Sequence, residues 1–289
     1  MNIKNLSERN KGIFFIILAA VFFSLMTVFV RLSGDLPSMQ KAFFRNLVAA
    51  FVAFILLKKS GEKIVVGKSN MRDLILRSSF GTGGIICNFL AIDHLTIADA
   101  NLLNKLSPFF AILMSILILK EKAHRMEWIS VCIAFSGALL VIKPGTSLAN
   151  VYSLVGLFGG FCAGVAYTYV RKLGTNGVKG PVIVLCFSSF STLVLLPPFI
   201  LQYTPMSGAQ ILLLLGAGLS AAGGQLSITA AYKHAPAKEI SVYDYTQVVF
   251  AALWGYILFA EIPDILSILG YIIILAASIV KFMYGRRKE

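Results

Sequence analysis

Two stretches, ADANLLNKLSPFFAILMSILILKE at residues 98–121 and KEISVYDYTQVVFAALWGYILFAE at residues 238–261, begin 140 residues apart, and each ends on a glutamate, Glu121 and Glu261. A hydrocarbon core about 30 Å thick needs roughly 20 helical residues at 1.5 Å each, so each stretch contains enough apolar chain to cross a bilayer. Neither is purely apolar. The first carries Asn101, Asn104, Lys105 and Pro108, and the second carries Ser241, Tyr243, Asp244, Tyr245 and Gln247.

Working outward from these two, apolar runs bounded by charge, Pro or Gly clusters mark ten spans: 12–32, 38–57, 74–93, 98–119, 127–142, 151–171, 181–201, 210–232, 240–259 and 264–283. The 289 residues are 57% hydrophobic and only 13% charged, which excludes an ordinary soluble domain with its roughly 25% charged residues. The prediction is an all-α polytopic membrane protein of ten transmembrane helices. The connections are too short to hold a separate soluble domain, so the function must be performed inside the bundle. The net charge of +13 would suggest nucleic acid in a soluble protein. Here most of the cations sit between the spans, where they set orientation, and nucleic acid is not expected as a partner. With a cytoplasmic N-terminus, twenty Lys and Arg, among them Lys58, Lys59, Lys120, Lys122, Arg171 and Lys172, fall on the inner side against Arg31, Lys41 and Lys143 outside. Both termini are therefore expected in the cytoplasm, in a multi-pass plasma or inner membrane protein.

At the single offset of 140, Val30-Arg31 matches Val170-Arg171, Gly83-Gly84 matches Gly223-Gly224, Ala91 and His94 match Ala231 and His234, and Glu121 matches Glu261. These pairs hold the same places relative to spans 1, 3, 4 and 5 as to spans 6, 8, 9 and 10. They divide the chain into residues 1–143 and 144–289, each a five-helix unit. Five crossings are odd, so the second unit enters the membrane the other way round, and the chain is two inverted five-helix repeats. Secondary transporters are commonly built so, with the substrate site near the midplane between the halves.

The pattern Ala20-Val21-Phe22-Phe23-Ser24 running to Arg31, Phe44-Arg45 in the second span, Ala98-Asp99-Ala100 leading to Ser107-Pro108-Phe109, and the closing Leu117 to Glu121 resemble the drug/metabolite transporter superfamily, specifically its EamA-type members. The second copy has Ala230-Ala231-Tyr232 and Phe259-Ala260-Glu261, with Val248 where the first has Pro108. The resemblance covers almost the whole chain. It implies a carrier with a central cavity between two EamA-like halves and leaves the substrate open.

A charge at mid-bilayer costs about 2.5 to 3.5 kcal/mol on insertion scales, so such residues face a bundle interior or a watery cavity. Arg45 and Lys105 each lie about seven residues into their spans, near the midplane. Arg77, close to the inner boundary, and Lys41, close to the outer, are expected to snorkel. On span 4, Asn101, Asn104, Lys105 and Pro108 share one helical face. Arg45, Asn88, Asn101, Asn104, Lys105, Tyr167, Gln225, Tyr243 and Tyr245 are the candidate substrate-binding residues, and Asp244 the candidate for proton coupling. With two cations against one carboxylate, the favoured cargo is a small organic anion or zwitterion, such as an amino acid or carboxylate, whose acidic group would pair with guanidinium or ammonium. Export of cationic or neutral drugs or metabolites is the second reading.

Pro108 is expected to kink span 4 and free a carbonyl. Gly156, Gly160 and Gly164 suit close helix contact, and Glu121 and Glu261 are expected to hold the turns that follow their spans. Cys87, Cys132, Cys162 and Cys186 lack metal or redox spacing. No His-Glu-x-x-His motif, paired intramembrane aspartates or filter-like loop supports an intramembrane enzyme or a channel, and no cofactor is expected. The lipid bilayer is the surrounding partner, a proton the candidate coupling ion, and a homodimer one assembly open to such a bundle.

Overall fold

The computed structural model describes residues 6–60, 67–95, 97–143, 151–260 and 262–286. The described chain is helical throughout: α1 Glu8–Leu32, α2 Ser38–Ser60, α3 Lys68–His94, α4 Ile97–Asn104, α5 Ser107–Leu119, α6 Arg125–Ile142, α7 Val151–Thr175, α8 Gly180–Leu201, α9 Gly208–His234, α10 Ala237–Ile240, α11 Thr246–Phe259 and α12 Ile265–Arg286. A 3₁₀ segment, Ser241–Tyr245, joins α10 to α11. Among the described residues nine helical stretches are long and apolar enough to cross a membrane. The remaining expected span, 240–259, is built from the 3₁₀ segment and the 14-residue α11.

Packing follows the duplication. At the repeat offset α1 corresponds to α7 and α3 to α9, and α1 packs on α9 as α3 packs on α7. The self-related pairs, α2 with α8 and α6 with α12, meet across the middle. Lys120 and Ala260, 140 positions apart, both end their helices in the left-handed region, at φ 56° and 52°. The outer surface is apolar, with Leu117 64% and Leu193 68% exposed, as a lipid-facing wall requires.

The glycine stripe on α7 makes the close approach that its spacing suggests, and its neighbour is the broken fourth span. A Cβ at Gly156 would stand 2.7 Å from Leu103 Cδ1, one at Gly160 2.6 Å from the Leu103 carbonyl oxygen, and one at Gly164 2.5 Å from Phe110 Cβ. Side chains at those positions would push α4 and α5 away from α7.

The two ends of the bundle differ. At the end bearing the α1 N-terminus, Lys281 Nζ donates to Glu127 Oε1 at 3.0 Å, Lys238 Nζ to the Lys122 carbonyl at 2.6 Å, and Arg9 Nη2 to the Phe282 carbonyl at 3.2 Å. Glu121, expected to hold its own turn, instead takes Arg171 Nε of the other repeat at 3.3 Å, while Arg171 Nη1 donates to the Lys233 carbonyl at 2.8 Å. Its counterpart Glu261 lies outside the described residues. Among the described residues these contacts close this end, and a cavity opens toward the opposite one.

Candidate functional site

The fourth span is broken, which is more than the expected kink. Pro108 has no N–H and sits in the first turn of α5, so the chain restarts a helix there. Phe109 N–H bonds back to the Leu106 carbonyl at 3.0 Å, which leaves the Lys105 carbonyl without its helical donor. The Tyr245 hydroxyl supplies one at 2.9 Å. Tyr245 stands at the repeat-equivalent position, where the 3₁₀ segment interrupts the second copy. Thr246 Oγ1 holds that interruption by donating to the Tyr243 carbonyl at 2.6 Å. Two corresponding helices are thus discontinuous at the same depth and fastened to each other.

The interruptions carry opposite charges. Lys105 Nζ donates to Gln247 Oε1 at 2.8 Å, to Asp244 Oδ2 at 3.2 Å and to the Asp244 carbonyl at 3.5 Å, so all three of its donors are directed at the second copy. Both side chains are largely buried, 11% and 12% exposed. Lys105, with Gln247, lines a cavity of about 630 Å³ that runs past Asn101 on α4, Ser24, Thr27 and Arg31 on α1, and Ala252 and Gly255 on α11. Trp254 Nε1 donates to Ser24 Oγ at 3.1 Å and ties α11 to α1 beside it. Lys143 and Asp264 form an ion pair at the rim.

Asn104, expected to share a face with Asn101 and Lys105, turns instead into a second chamber of about 100 Å³, with Arg45, Arg77, Asn88, Tyr167, Phe187 and Gln225 among its lining. Lys105 N–H still makes the helical bond to the Asn101 carbonyl at 3.0 Å, so Asn101 and Lys105 share one side of α4 and Asn104 looks to the other. The predicted site residues therefore divide between two places: Asn101 and Lys105 in the large cavity, with Asp244 bonded to Lys105, and Arg45, Asn88, Asn104, Tyr167 and Gln225 in the small chamber. Tyr243 and Tyr245, 3% and 0% exposed, line neither.

Arg77 does not snorkel. It is 1% exposed, its guanidinium carbon lies 3.8 Å from the centroid of the Phe187 ring, and Nη2 donates to Gln225 Oε1 at 3.2 Å. The helix begins at Lys68, six residues before the expected boundary at 74, which places Arg77 about 14 Å from its start. Room for the guanidinium comes from Gly81, one turn on, where a Cβ would lie 2.2 Å from Arg77 Nη1. Arg77 and Gly81 at i and i+4 were the available signal for this pocketed arginine. Gln247 is the other residue missing from the candidate list; its place beside Asp244 depends on a 3₁₀ turn that apolar periodicity does not reveal.

The EamA-like transporter family matches the chain over residues 10–143 and again over 151–283. The chain belongs to this family. It is 32% identical over 271 residues to the pseudopaline exporter of Pseudomonas aeruginosa, covering 93% of this chain and 94% of that protein. It is 26% identical over 289 residues to human solute carrier family 35 member G1, with 93% and 78% covered. A crystal structure only 15% identical in sequence superposes with a TM-score of 0.82 over 97% of this chain and 99% of that one. These matches identify a multi-pass membrane transporter of two EamA repeats and not an enzyme.

Proposed function

We propose that this family member is a secondary-active carrier of a small organic anion or zwitterion, working by alternating access between halves 1–143 and 144–289, with both termini in the cytoplasm. The observation that supports it most is the Lys105–Asp244 pair where two repeat-related broken helices meet at the open cavity. Broken helices in corresponding positions are the places where such carriers expose polar groups to cargo. The pair is internally neutral, so a carboxylate entering the cavity gains Lys105 only when Asp244 lets go. A proton arriving on Asp244 Oδ2 would release the ammonium, and the incoming carboxylate would take its place. Proton and anion would then be held together, and the ion pair would re-form when both have left. The cavity open at one end and the packed helices at the other correspond to one of two alternating states. The 32% identical relative is named an exporter of pseudopaline, which makes export the direction to test first.

A thermal shift screen of the purified chain against amino acids, organic acids, sugar phosphates, nucleobases and amines tests the cargo class, because a bound ligand raises apparent stability by RT ln(1+[L]/Kd). Acids or zwitterions too large for the small chamber are expected to stabilise the wild type and to lose that effect in Lys105→Ala; amines stabilising both proteins equally would favour the cationic reading. For coupling, Asp244→Asn in proteoliposomes should no longer concentrate cargo when a proton gradient is the only driving force. Accumulation as large as in the wild type would remove the proton role.

A further inference from the structure

We infer that Arg45 and Arg77 form a second anion-binding subsite that takes one carboxylate group, in the chamber that Asn104 lines beside the Lys105–Asp244 site. The inference rests on the anion-carrier reading and extends it to residues on α2 and α3. The two guanidiniums differ from Lys105 in what surrounds them. Lys105 has an aspartate, whereas among the described residues no carboxylate lines the small chamber. A guanidinium offers five N–H donors. For Arg77 the structure provides one acceptor on Gln225, and Nε of Arg77 and Nε of Arg45 are both buried with no acceptor in reach among the described residues.

The rest of the lining suits an acidic group. Asn88, Asn104, Gln225 and the Tyr167 hydroxyl can each donate, and the guanidinium plane of Arg77 is fixed by the Phe187 ring and the space above Gly81. An arginine held flat and desolvated is oriented for two parallel N–H···O bonds to a carboxylate. At about 100 Å³, against about 630 Å³ for the open cavity, the chamber has room for an acidic group and its nearest carbons rather than a whole metabolite. Asn104 faces the chamber while Lys105, its neighbour in the chain, faces the cavity, so a shift at the break would bring the two spaces together. Cargo with an acidic group could then be passed from the ammonium to the guanidiniums.

The test uses the full-length protein in detergent, with sodium acetate exchanged for sodium chloride at constant ionic strength and unfolding temperature as the readout. Acetate should raise the unfolding temperature saturably in the wild type and in Lys105→Gln, and the apparent affinity should fall at least about tenfold in Arg45→Gln and Arg77→Gln. Gly81→Ala supplies an independent variant: it keeps every charge, and its methyl would stand 2.2 Å from Arg77 Nη1 and 2.7 Å from the Phe187 ring, so acetate should weaken there too. A saturable acetate effect that survives all three changes, or that is lost in Lys105→Gln instead, overturns the proposal. So does a response to chloride with none to acetate. Flux in proteoliposomes separates this subsite from the wider reading. Arginine-dependent acetate binding without organic-anion flux would sink the carrier reading and leave the subsite standing. Wild-type anion flux unchanged by Arg45→Gln and Arg77→Gln would sink the subsite and leave the carrier.

Discussion

The two broken helices occupy corresponding places in the two repeats but are broken by different means and meet different neighbours. In the first copy Pro108 ends the hydrogen-bond ladder, and α4 packs on α3, α6 and α7 while facing α11 and α12 across the open cavity. In the second copy Val248 replaces the proline; the break is a 3₁₀ segment held by Thr246, and it packs against α5 and α6 as well as α1. Had both copies packed alike, the cavity would be closed at both ends or open at both. The difference lies in the neighbours: the second-copy break is enclosed by packed helices, whereas the first borders the open cavity through Lys105.

The largest expected effect breaks the link between the copies. Lys105→Met leaves the Asp244 carboxylate buried without its cation, and removing one partner of a buried pair typically costs about 3–5 kcal/mol. Thermal unfolding should show that loss, and transport should be abolished. The double change Lys105→Met with Asp244→Leu should recover most of the stability and none of the transport. Recovery of transport in the double variant would show that the copies need only to be in contact here, and that the charges are not used on cargo.

Next in size is the closed end. Lys281 and Glu127 join α12 to α6 at 4% and 9% side-chain exposure, so Lys281→Met should destabilise by about 3 kcal/mol in the same measurement. If the packed end is one of two alternating states, the variant should also shift the protein toward the opposite opening, read as increased labelling of a cysteine introduced beside Glu127. Unchanged labelling together with lost stability would make the pair a fastening of the helices with no part in the switch.

Smaller again is the bond between the two breaks. Tyr245→Phe removes the donor to the Lys105 carbonyl and leaves that buried group unsatisfied, at a cost of about 1–3 kcal/mol. Because Tyr245 lines neither cavity, cargo affinity should change less than stability does. A larger loss of affinity than of stability would place Tyr245 in the binding site, where sequence alone had put it.

That discrepancy shows what could be read in advance. The spans, the duplication and its inverted sense follow from apolar length and from pairs at one offset, because membrane thickness and helical rise leave little freedom. That Asn101 and Lys105 line a cavity and that Asp244 meets a cation is legible because polar groups in mid-span need a partner or water. The partition of that site was not legible. Helical periodicity puts Asn101, Asn104 and Lys105 on one broad face, but consecutive residues point about 100° apart, and the division between the two chambers falls between Asn104 and Lys105. Arg77 was hidden for a related reason: the helix start was placed six residues late, and a cation about nine residues into a helix was read as one near the membrane edge.

The smallest effect belongs to the rim of the open cavity, where Lys143 of α6 meets Asp264 just before α12. The same helix pair thus carries a buried ion pair at its closed end and an exposed one at its open end, and burial should decide which of them matters. The Lys143 ammonium, with the Ser267 N–H behind it, pulls the Asp264 carboxyl from its ordinary 3.8 down to about 2. A carboxyl depressed in the folded protein contributes stability that is present above the unfolded value and fades as pH falls from about 4 toward 2. Both partners are about half exposed, and water screens such pairs, so Asp264→Asn should leave the unfolding temperature at pH 7 within experimental scatter. Its measurable trace should be confined to acid: the wild type should lose slightly more stability than Asp264→Asn between pH 4 and pH 2. Equal slopes would mean that the rim pair is absent in solution, and a loss at neutral pH as large as that of Lys281→Met would mean that the open end is held as firmly as the closed one.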